Sequence, residues 1–144
     1  MAGDFHIIGG NGRRGQVSDY GEVIMGPYDY STPKFQNMDV VDTAYTFFAP
    51  MQDQFFVITS IYLQANKNVS ASTATTVDIY EASQETDTTI SKSIYQFDMV
   101  RNDKISITPL NIRVTAGKFV NGKTGDDDVL VTISGYYVKD GADS

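Results

Sequence analysis

One stretch of the sequence, from Gln54 to Ala65 (QFFVITSIYLQA), alternates like a β-strand and is apolar on both sides over its first half. Strict alternation would divide its side chains between one face with Phe55, Val57, Thr59, Ile61, Leu63 and Ala65 and a second face with Phe56, Ile58, Ser60 and Tyr62. β-Branched and aromatic residues dominate the stretch, and Asn66-Lys67-Asn68 after it suits a turn. The pattern therefore predicts a central strand that is covered on both faces.

Shorter β-type runs follow one another along the chain, separated by residues that favour turns. They comprise Glu22–Met25, Lys34–Val41, Ala44–Phe48, Thr75–Ala82, Thr89–Met99, Ile105–Thr108, an interrupted run through Leu110, Ile112 and Val114, Lys118–Asn121 and Asp128–Val138. Thr75–Ala82 alternates cleanly, with Val77 and Ile79 opposed to Asp78 and Tyr80, and Thr89–Met99 alternates again. Asp128–Val138 carries Val129, Val131, Ile133 and Tyr137 on one face.

Helical periodicity is missing from the sequence. No window of eleven residues keeps an apolar stripe at positions i, i+3, i+4 and i+7. About eight or nine short strands in one domain predict an all-β fold, a single antiparallel β-sandwich. The jelly roll is one candidate for the order of its strands. A closed barrel is the main alternative.

The first 21 residues differ from the rest in glycine content, because they include Gly3, Gly9, Gly10, Gly12, Gly15 and Gly21. Glycine at this density resists a fixed backbone conformation unless a partner imposes one. We therefore expect residues 1–21 to form an extended N-terminal arm that is flexible alone and ordered against a partner. Residues 22–144 are expected to form the β-sandwich domain.

The composition removes several classes of function. The 144 residues include no Cys, so disulfides and thiolate metal sites are excluded. The net charge is −7, and the basic residues are scattered apart from Arg13-Arg14. Nucleic acid is not an expected partner, because phosphate neutralisation needs a clustered basic surface. No apolar run approaches a membrane span or a secretory signal, so we expect no membrane contact and synthesis in a cytoplasm.

Three patterns that often mark catalytic or metal sites lack their usual context. Gly10–Gly15 (GNGRRG) matches a nucleotide-binding loop, but Gly21 and Gly26-Pro27 exclude the helix that must follow it. His6 is the only histidine and has no nucleophile motif beside it. Asp126–Asp128 suits a solvated hairpin tip, with a calcium loop as the alternative. We therefore expect that the chain is not an enzyme and that it has no catalytic residue, cofactor or bound metal.

Aromatic residues crowd the segment between the arm and the central strand: Tyr20, Tyr28, Tyr30, Phe35, Tyr45, Phe47 and Phe48. Half of them are expected to pack in the core. The others suit a protein interface, in which large rings dominate the contact energy, or, as the alternative, a sugar-stacking platform.

Four segments carry a resemblance that covers roughly residues 20 to 138: GPYDYSTPKFQNMDVVDTAYTFFAP, QFFVITSIYLQANKNVS, VDIYEAS and KFVNGKTGDDDVLVTISGYYV. In its residue pattern and local sequence the chain resembles small all-β structural proteins of tailed bacteriophages, such as head decoration or cement proteins. The resemblance implies a virion structural protein, an oligomeric β-sandwich expected as a homotrimer. Such a protein would bind major capsid protein on the capsid surface and bridge neighbouring subunits.

The arm supplies the residues that we expect to bind the partner, either the capsid shell or a sister subunit. They are its apolar and bidentate hydrogen-bonding groups: Phe5, Ile7, Ile8, Arg13, Arg14 and Tyr20. The exposed edges of an antiparallel sandwich offer a second route, by pairing with a strand of the shell or of a sister subunit. The alternatives are a carbohydrate- or receptor-binding module of a tail or fibre, which would use exposed Tyr and the Asp-rich loop, a head–tail component, and a hydrolase with paired carboxylates.

Overall fold

The residues that the structure describes form nine β-strands, joined by turns and loops, and no helix. The structure is a computed structural model, and it describes residues 31–66, 68–125 and 128–139. The strands are β1 (Thr32–Met38), β2 (Tyr45–Phe48), β3 (Gln54–Ala65), β4 (Thr75–Ala82), β5 (Lys92–Met99), β6 (Lys104–Ile107), β7 (Ile112–Arg113), β8 (Phe119–Thr124) and β9 (Val129–Lys139). The predicted arm at residues 1–21 and the predicted strand Glu22–Met25 lie outside the described residues.

The strands form two antiparallel sheets that pack face to face around an apolar core. The first sheet has the order β1-β9-β3-β6, with β7 also paired to β3, and the second sheet has the order β2-β8-β4-β5. With β6 and β7 taken as one interrupted strand, this is the strand order of an eight-stranded jelly roll. The predicted all-β sandwich is confirmed. The predicted central position of β3 is confirmed as well, since it pairs with β9 on one side and with β6 and β7 on the other.

Most strand boundaries follow the sequence pattern. β3 and β4 have the predicted limits. β1 ends at Met38 instead of the predicted Val41, because the chain turns directly after it and Asp42 has a φ of 53°. β5 begins at Lys92 instead of the predicted Thr89, since the residues before it belong to the preceding connection.

β3 departs from strict alternation at Thr59, which corrects the predicted division of its faces. Ile58 lies opposite Gly135 of β9 and Ser60 lies opposite Ser134, so Thr59 is an extra residue that forms a β-bulge. The Thr59 hydroxyl donates a 3.1 Å hydrogen bond to the Ser134 carbonyl. The core-facing side chains of β3 are therefore Phe56 and Ile58 before the bulge and Ile61, Leu63 and Ala65 after it.

An aromatic cluster closes one end of the core. Phe48 of β2 stacks on Phe56 of β3 with ring centroids 3.9 Å apart, and Tyr137 of β9 meets Phe56 edge-on at 5.0 Å. The Tyr137 hydroxyl donates a 2.6 Å hydrogen bond to the Ala49 carbonyl. Gly135 presents no side chain beneath the Phe56 ring, so the ring can lie against β9. The cluster joins the edge of the second sheet to the two central strands of the first.

Several connections gather at the opposite end of the sandwich. Met38 and Ala65 both pair with Val129, so β1 and β3 end in the same row in which β9 begins. Backbone hydrogen bonds tie the following residues together, from Asp42 N to Thr124 O at 2.8 Å and from Asn66 N to Asp128 O at 3.0 Å. This end is therefore built from loops that brace one another.

Candidate functional site

The outer face of the second sheet is covered around Tyr80, Asn121 and Lys123 by the connection between β4 and β5, residues 83–91. Asn121 of β8 is fully buried, and its Nδ2 donates to the carbonyl oxygens of Gln84, Glu85 and Asp87 at 3.1, 3.4 and 3.2 Å. Tyr80 of β4 donates to the same Asp87 carbonyl at 2.9 Å. Burial raises the pKa of Tyr80 to about 12. Because the carbonyls of the connection satisfy these buried donors, the connection is bound to the sheet.

Side chains of β2 and β8 hold the same connection at two further points. Thr46 Oγ1 donates to the Glu85 carbonyl at 2.9 Å, and Lys123 Nζ donates to the Thr88 carbonyl at 2.9 Å. The Lys123 amine also lies 5.7 Å from the centre of the Tyr80 ring. This part of the outer face is thus occupied by the chain itself.

The outer face of the first sheet is open over the part that lies beyond the bulge. Residues directly opposed in a sheet share a face. Their pairing places three rows of side chains across β1, β9 and β3, which we call the open face: Pro33, Ser134 and Ser60; Phe35, Thr132 and Tyr62; Asn37, Leu130 and Gln64. β6 extends the second and third rows with Ser106 and Lys104. Phe35 is 56% exposed and Tyr62 is 39% exposed.

The bulge marks the limit of the open face. On its other side, the Arg113 guanidinium of β7 lies 3.7 Å from the centre of the Phe55 ring. Val57, which pairs with Arg113, is only 4% exposed although it points away from the core. A long cationic side chain that covers apolar surface in this way closes that half of the sheet.

β1 is the most regular of the four edge strands. Its seven residues pair with β9 without a register shift. By contrast, β2 and β6 have four residues each, β2 has an irregular register, and β5 carries a bulge at Ile94. Short length and bulges protect sheet edges, whereas Pro33 and Lys34 protect only the beginning of β1. In the described part of the chain no strand pairs with the other side of β1, so its second half is a candidate for strand addition.

An apolar loop, residues 39–44, continues the edge beyond β1. Val40 is 51% exposed and Val41 is 42% exposed. Val40 N donates to the Tyr45 hydroxyl at 3.1 Å, and that hydroxyl donates to Asp39 Oδ1 at 2.8 Å. Burial raises the pKa of Tyr45, and its hydrogen bond to Asp39 raises it further. The two valines are therefore presented on a fixed backbone.

Two shallow depressions lie at the end of the sandwich that carries the aromatic cluster. Their volumes are about 390 and 410 Å3, and their walls are Pro50, Met51, Gln52, Asp53, Gln54, Ala116, Gly117 and Lys139. Asp53 is the only carboxylate in these walls. Nowhere in residues 31–66, 68–125 and 128–139 do three or more His, Cys, Asp or Glu come together as a metal site. The depressions hold no arrangement suited to catalysis.

Comparison of the chain with protein-family models and with curated proteins finds no match. Over the described residues, no helix is long and apolar enough to cross a membrane.

Several sequence predictions concern residues that the structure does not describe. The predicted partner-binding residues Phe5, Ile7, Ile8, Arg13, Arg14 and Tyr20 all lie outside the described residues. The same is true of His6, Gly10–Gly15 and Asp126-Asp127. Asp128, the last of the three adjacent Asp, is described, and its carboxylate accepts a hydrogen bond from Asn68 Nδ2.

The aromatic segment divides between core and surface. Phe47 is buried, and Tyr45 and Phe48 pack against the core. Phe35 projects from the open face. Tyr20, Tyr28 and Tyr30 lie outside the described residues.

The sequence predictions missed two features, one buried and one exposed. Asn121 stands at the end of a predicted strand, and nothing near it in the sequence indicates the carbonyls that it binds. The row through Thr132 unites Phe35 and Tyr62 from distant strands. Alternation in β9, which leaves Leu130, Thr132 and Ser134 on the side opposite Val129, Val131 and Ile133, is the one signal that could have indicated an exposed face there.

Proposed function

We propose that this chain is a virion structural protein without enzymatic activity, a decoration protein that binds major capsid protein on the head surface and bridges its subunits. The observation that carries the proposal is the edge of β1, a regular strand that leads into the exposed Val40 and Val41. The resemblance to phage structural proteins supports it. Jelly-roll sandwiches occur in viral capsid domains, which supports it at the level of architecture alone.

Attachment through β1 would proceed by strand addition. A strand of the capsid subunit pairs with the backbone of Phe35–Met38, so main-chain hydrogen bonds supply affinity and alternate side chains supply register. Full burial of a Phe side chain contributes about 1.5–3 kcal/mol, and Phe35 has more than half of its surface left to bury. Burial of Phe35 by the partner would therefore contribute on the order of 1 kcal/mol. The valines of the apolar loop extend the contact.

Bridging requires more than one attachment in each assembly. A homotrimer presents three copies of the β1 edge, and linked contacts raise the overall affinity through their effective concentration. The arm residues Phe5, Ile7, Ile8, Arg13, Arg14 and Tyr20 are the proposed second contact of each copy, with the shell or with a sister subunit. Light scattering of the purified full chain tests the trimer, and sixfold rings would favour the head–tail alternative.

Cosedimentation with capsids assembled from major capsid protein alone tests the edge. Phe35→Lys places a charge on the edge strand and should weaken binding at least tenfold without lowering the melting temperature. Ile90→Lys is the matched control, since Ile90 is 36% exposed on the connection over the second sheet. Equal binding by the wild-type chain and Phe35→Lys would contradict the role of the edge. A wild-type chain that does not bind capsids would contradict the decoration function.

Deletion of residues 1–20 tests the arm separately. The truncated chain should fold, with a cooperative melting transition, but should lose binding to capsids. Full binding by the truncation would show that the arm contributes nothing to attachment. Electron microscopy of purified virions then decides between a position on the head and one on the tail.

A further inference from the structure

Two exposed aromatic rings stand in one row of the open face. Phe35 and Tyr62 both pair with Thr132, so the row crosses three adjacent strands. Neighbouring strands are about 4.8 Å apart, which separates the two aromatic residues by about 10 Å. The pairing of β1 with β9 has no register shift, and that of β9 with β3 has none beyond Ser60, so both rings project from a regular stretch of sheet.

The side chains around the rings are mostly uncharged hydrogen-bonding groups. Thr132 lies between the rings, Ser134 and Ser60 lie in the row on one side, and Asn37 and Gln64 lie in the row on the other. Pro33 and Leu130 are the aliphatic members of the face, and Lys104 stands at its margin. The centre of a protein interface is apolar and closely packed, whereas here the Thr132 hydroxyl separates the rings and hydroxyls and amides flank them.

We propose that the open face binds an uncharged, extended, β-linked polysaccharide. A sugar ring has an apolar C–H face that stacks on an aromatic ring and a rim of hydroxyls that bond to amides and hydroxyls. In a β-1,4-linked pyranose chain every second sugar presents the same face, so one such chain can stack on Phe35 and Tyr62 together. The three rows contain no arginine to pair with a carboxylate, and the net charge of −7 repels acidic glycans.

This inference does not rest on the decoration function. Strand addition uses the backbone edge of β1 and the Phe35 side chain at that edge, whereas Tyr62 projects from the face of the sheet away from it. Tyr62 is two strands away from that edge, so its substitution separates the two kinds of binding.

Native gels of the full chain that contain hydroxyethylcellulose, together with calorimetric titration of cellohexaose, test the proposal. The wild-type chain should be retarded, and Tyr62→Ala and Phe35→Ala should each weaken cellohexaose binding at least tenfold. Tyr62→Phe keeps the ring and should retain binding, and Ile90→Ala should bind like the wild type. Melting curves of each variant should match the wild-type curve.

Four results would overturn the proposal. The first two are failure of the wild-type chain to bind either uncharged probe, and binding of cellohexaose by Tyr62→Ala as tight as by the wild type. The third is stronger retardation of the wild-type chain in gels with polygalacturonate than in gels with hydroxyethylcellulose. The fourth is loss of capsid binding in Tyr62→Ala, which would make the open face a protein interface. Loss of cellohexaose binding in Tyr62→Ala with capsid binding intact supports it. If no form of the chain binds capsids while cellohexaose binding depends on both rings, only the decoration function fails.

Discussion

Among the glycines that the structure describes, Gly135 is the position at which one added methyl group should disturb the fold most. A Cβ at Gly135 would lie 2.2 Å from the Val57 carbonyl oxygen and 2.4 Å from Cζ of Phe56, whereas ordinary contacts begin at 3.4 Å. The Val57 carbonyl belongs to the backbone of the central strand, and the Phe56 ring is stacked on Phe48, so neither can move aside freely. Overpacking a core costs typically 1–3 kcal/mol, and we expect Gly135→Ala to cost about 3 kcal/mol or more.

Gly122 provides the matched comparison. A Cβ there would meet side-chain atoms and no backbone, at Phe47 Cε1 (2.9 Å), Met38 Sδ (3.1 Å) and Ile79 Cδ1 (3.3 Å), so smaller movements would accommodate it than at Gly135. Gly122→Ala should therefore cost about 1 kcal/mol, at the low end of the overpacking range. Urea and thermal denaturation followed by circular dichroism measure both variants, and each kcal/mol should lower the melting temperature by roughly 2–8 °C in domains of this size range. A Gly135→Ala variant as stable as Gly122→Ala would refute the reasoning.

Two further predictions concern the connection over the second sheet. Asn121→Asp should lower the free energy of unfolding by about 2–4 kcal/mol at neutral pH, because a carboxylate cannot donate hydrogen bonds to the three carbonyls that Asn121 binds. Urea denaturation measures this loss of stability, and a loss under about 1 kcal/mol would contradict the prediction. The pKa of Tyr80 is raised to about 12, so the folded state keeps the proton that the unfolded chain releases near pH 10, and stability should fall as the pH rises from about 10 to 12. Tyr80→Phe should cost about 1 kcal/mol at neutral pH and reduce this alkaline loss, and an unchanged pH profile in denaturation would show that Tyr80 is not its source.

The strands could be predicted because the signals that define them are local. Gln54–Ala65 and Thr75–Ala82 are bounded by turn residues and filled with β-branched and aromatic residues, so their limits agree with the structure. In β9, Val129, Val131 and Ile133 share one face as predicted, because Thr132 and Ser134 make the alternation clear, and that face is the core side.

The faces of β3 could not be predicted, because both sets of alternating residues are apolar before Thr59. An inserted residue then leaves no trace in the hydrophobic pattern, and only the pairing with β9 reveals it. The contact of residues 83–91 with the second sheet also leaves no trace in the local sequence, because Asn121, which binds them, is distant in the chain and is brought there by the fold. The open face is likewise a product of register, which joins Phe35 and Tyr62 through Thr132.

The antiparallel pairing of β1 with β9 also has a practical consequence. Thr32 lies opposite Gly135, close to Lys139, where β9 ends, so the described chain enters and leaves the first sheet on the same side. The connection between β3 and β4 lies on the far side, among the loops that brace one another. A fluorescent protein fused directly before Ser31 or directly after Lys139 and a peptide epitope inserted between β3 and β4 would therefore project in opposite directions, which makes this domain a natural two-ended display scaffold.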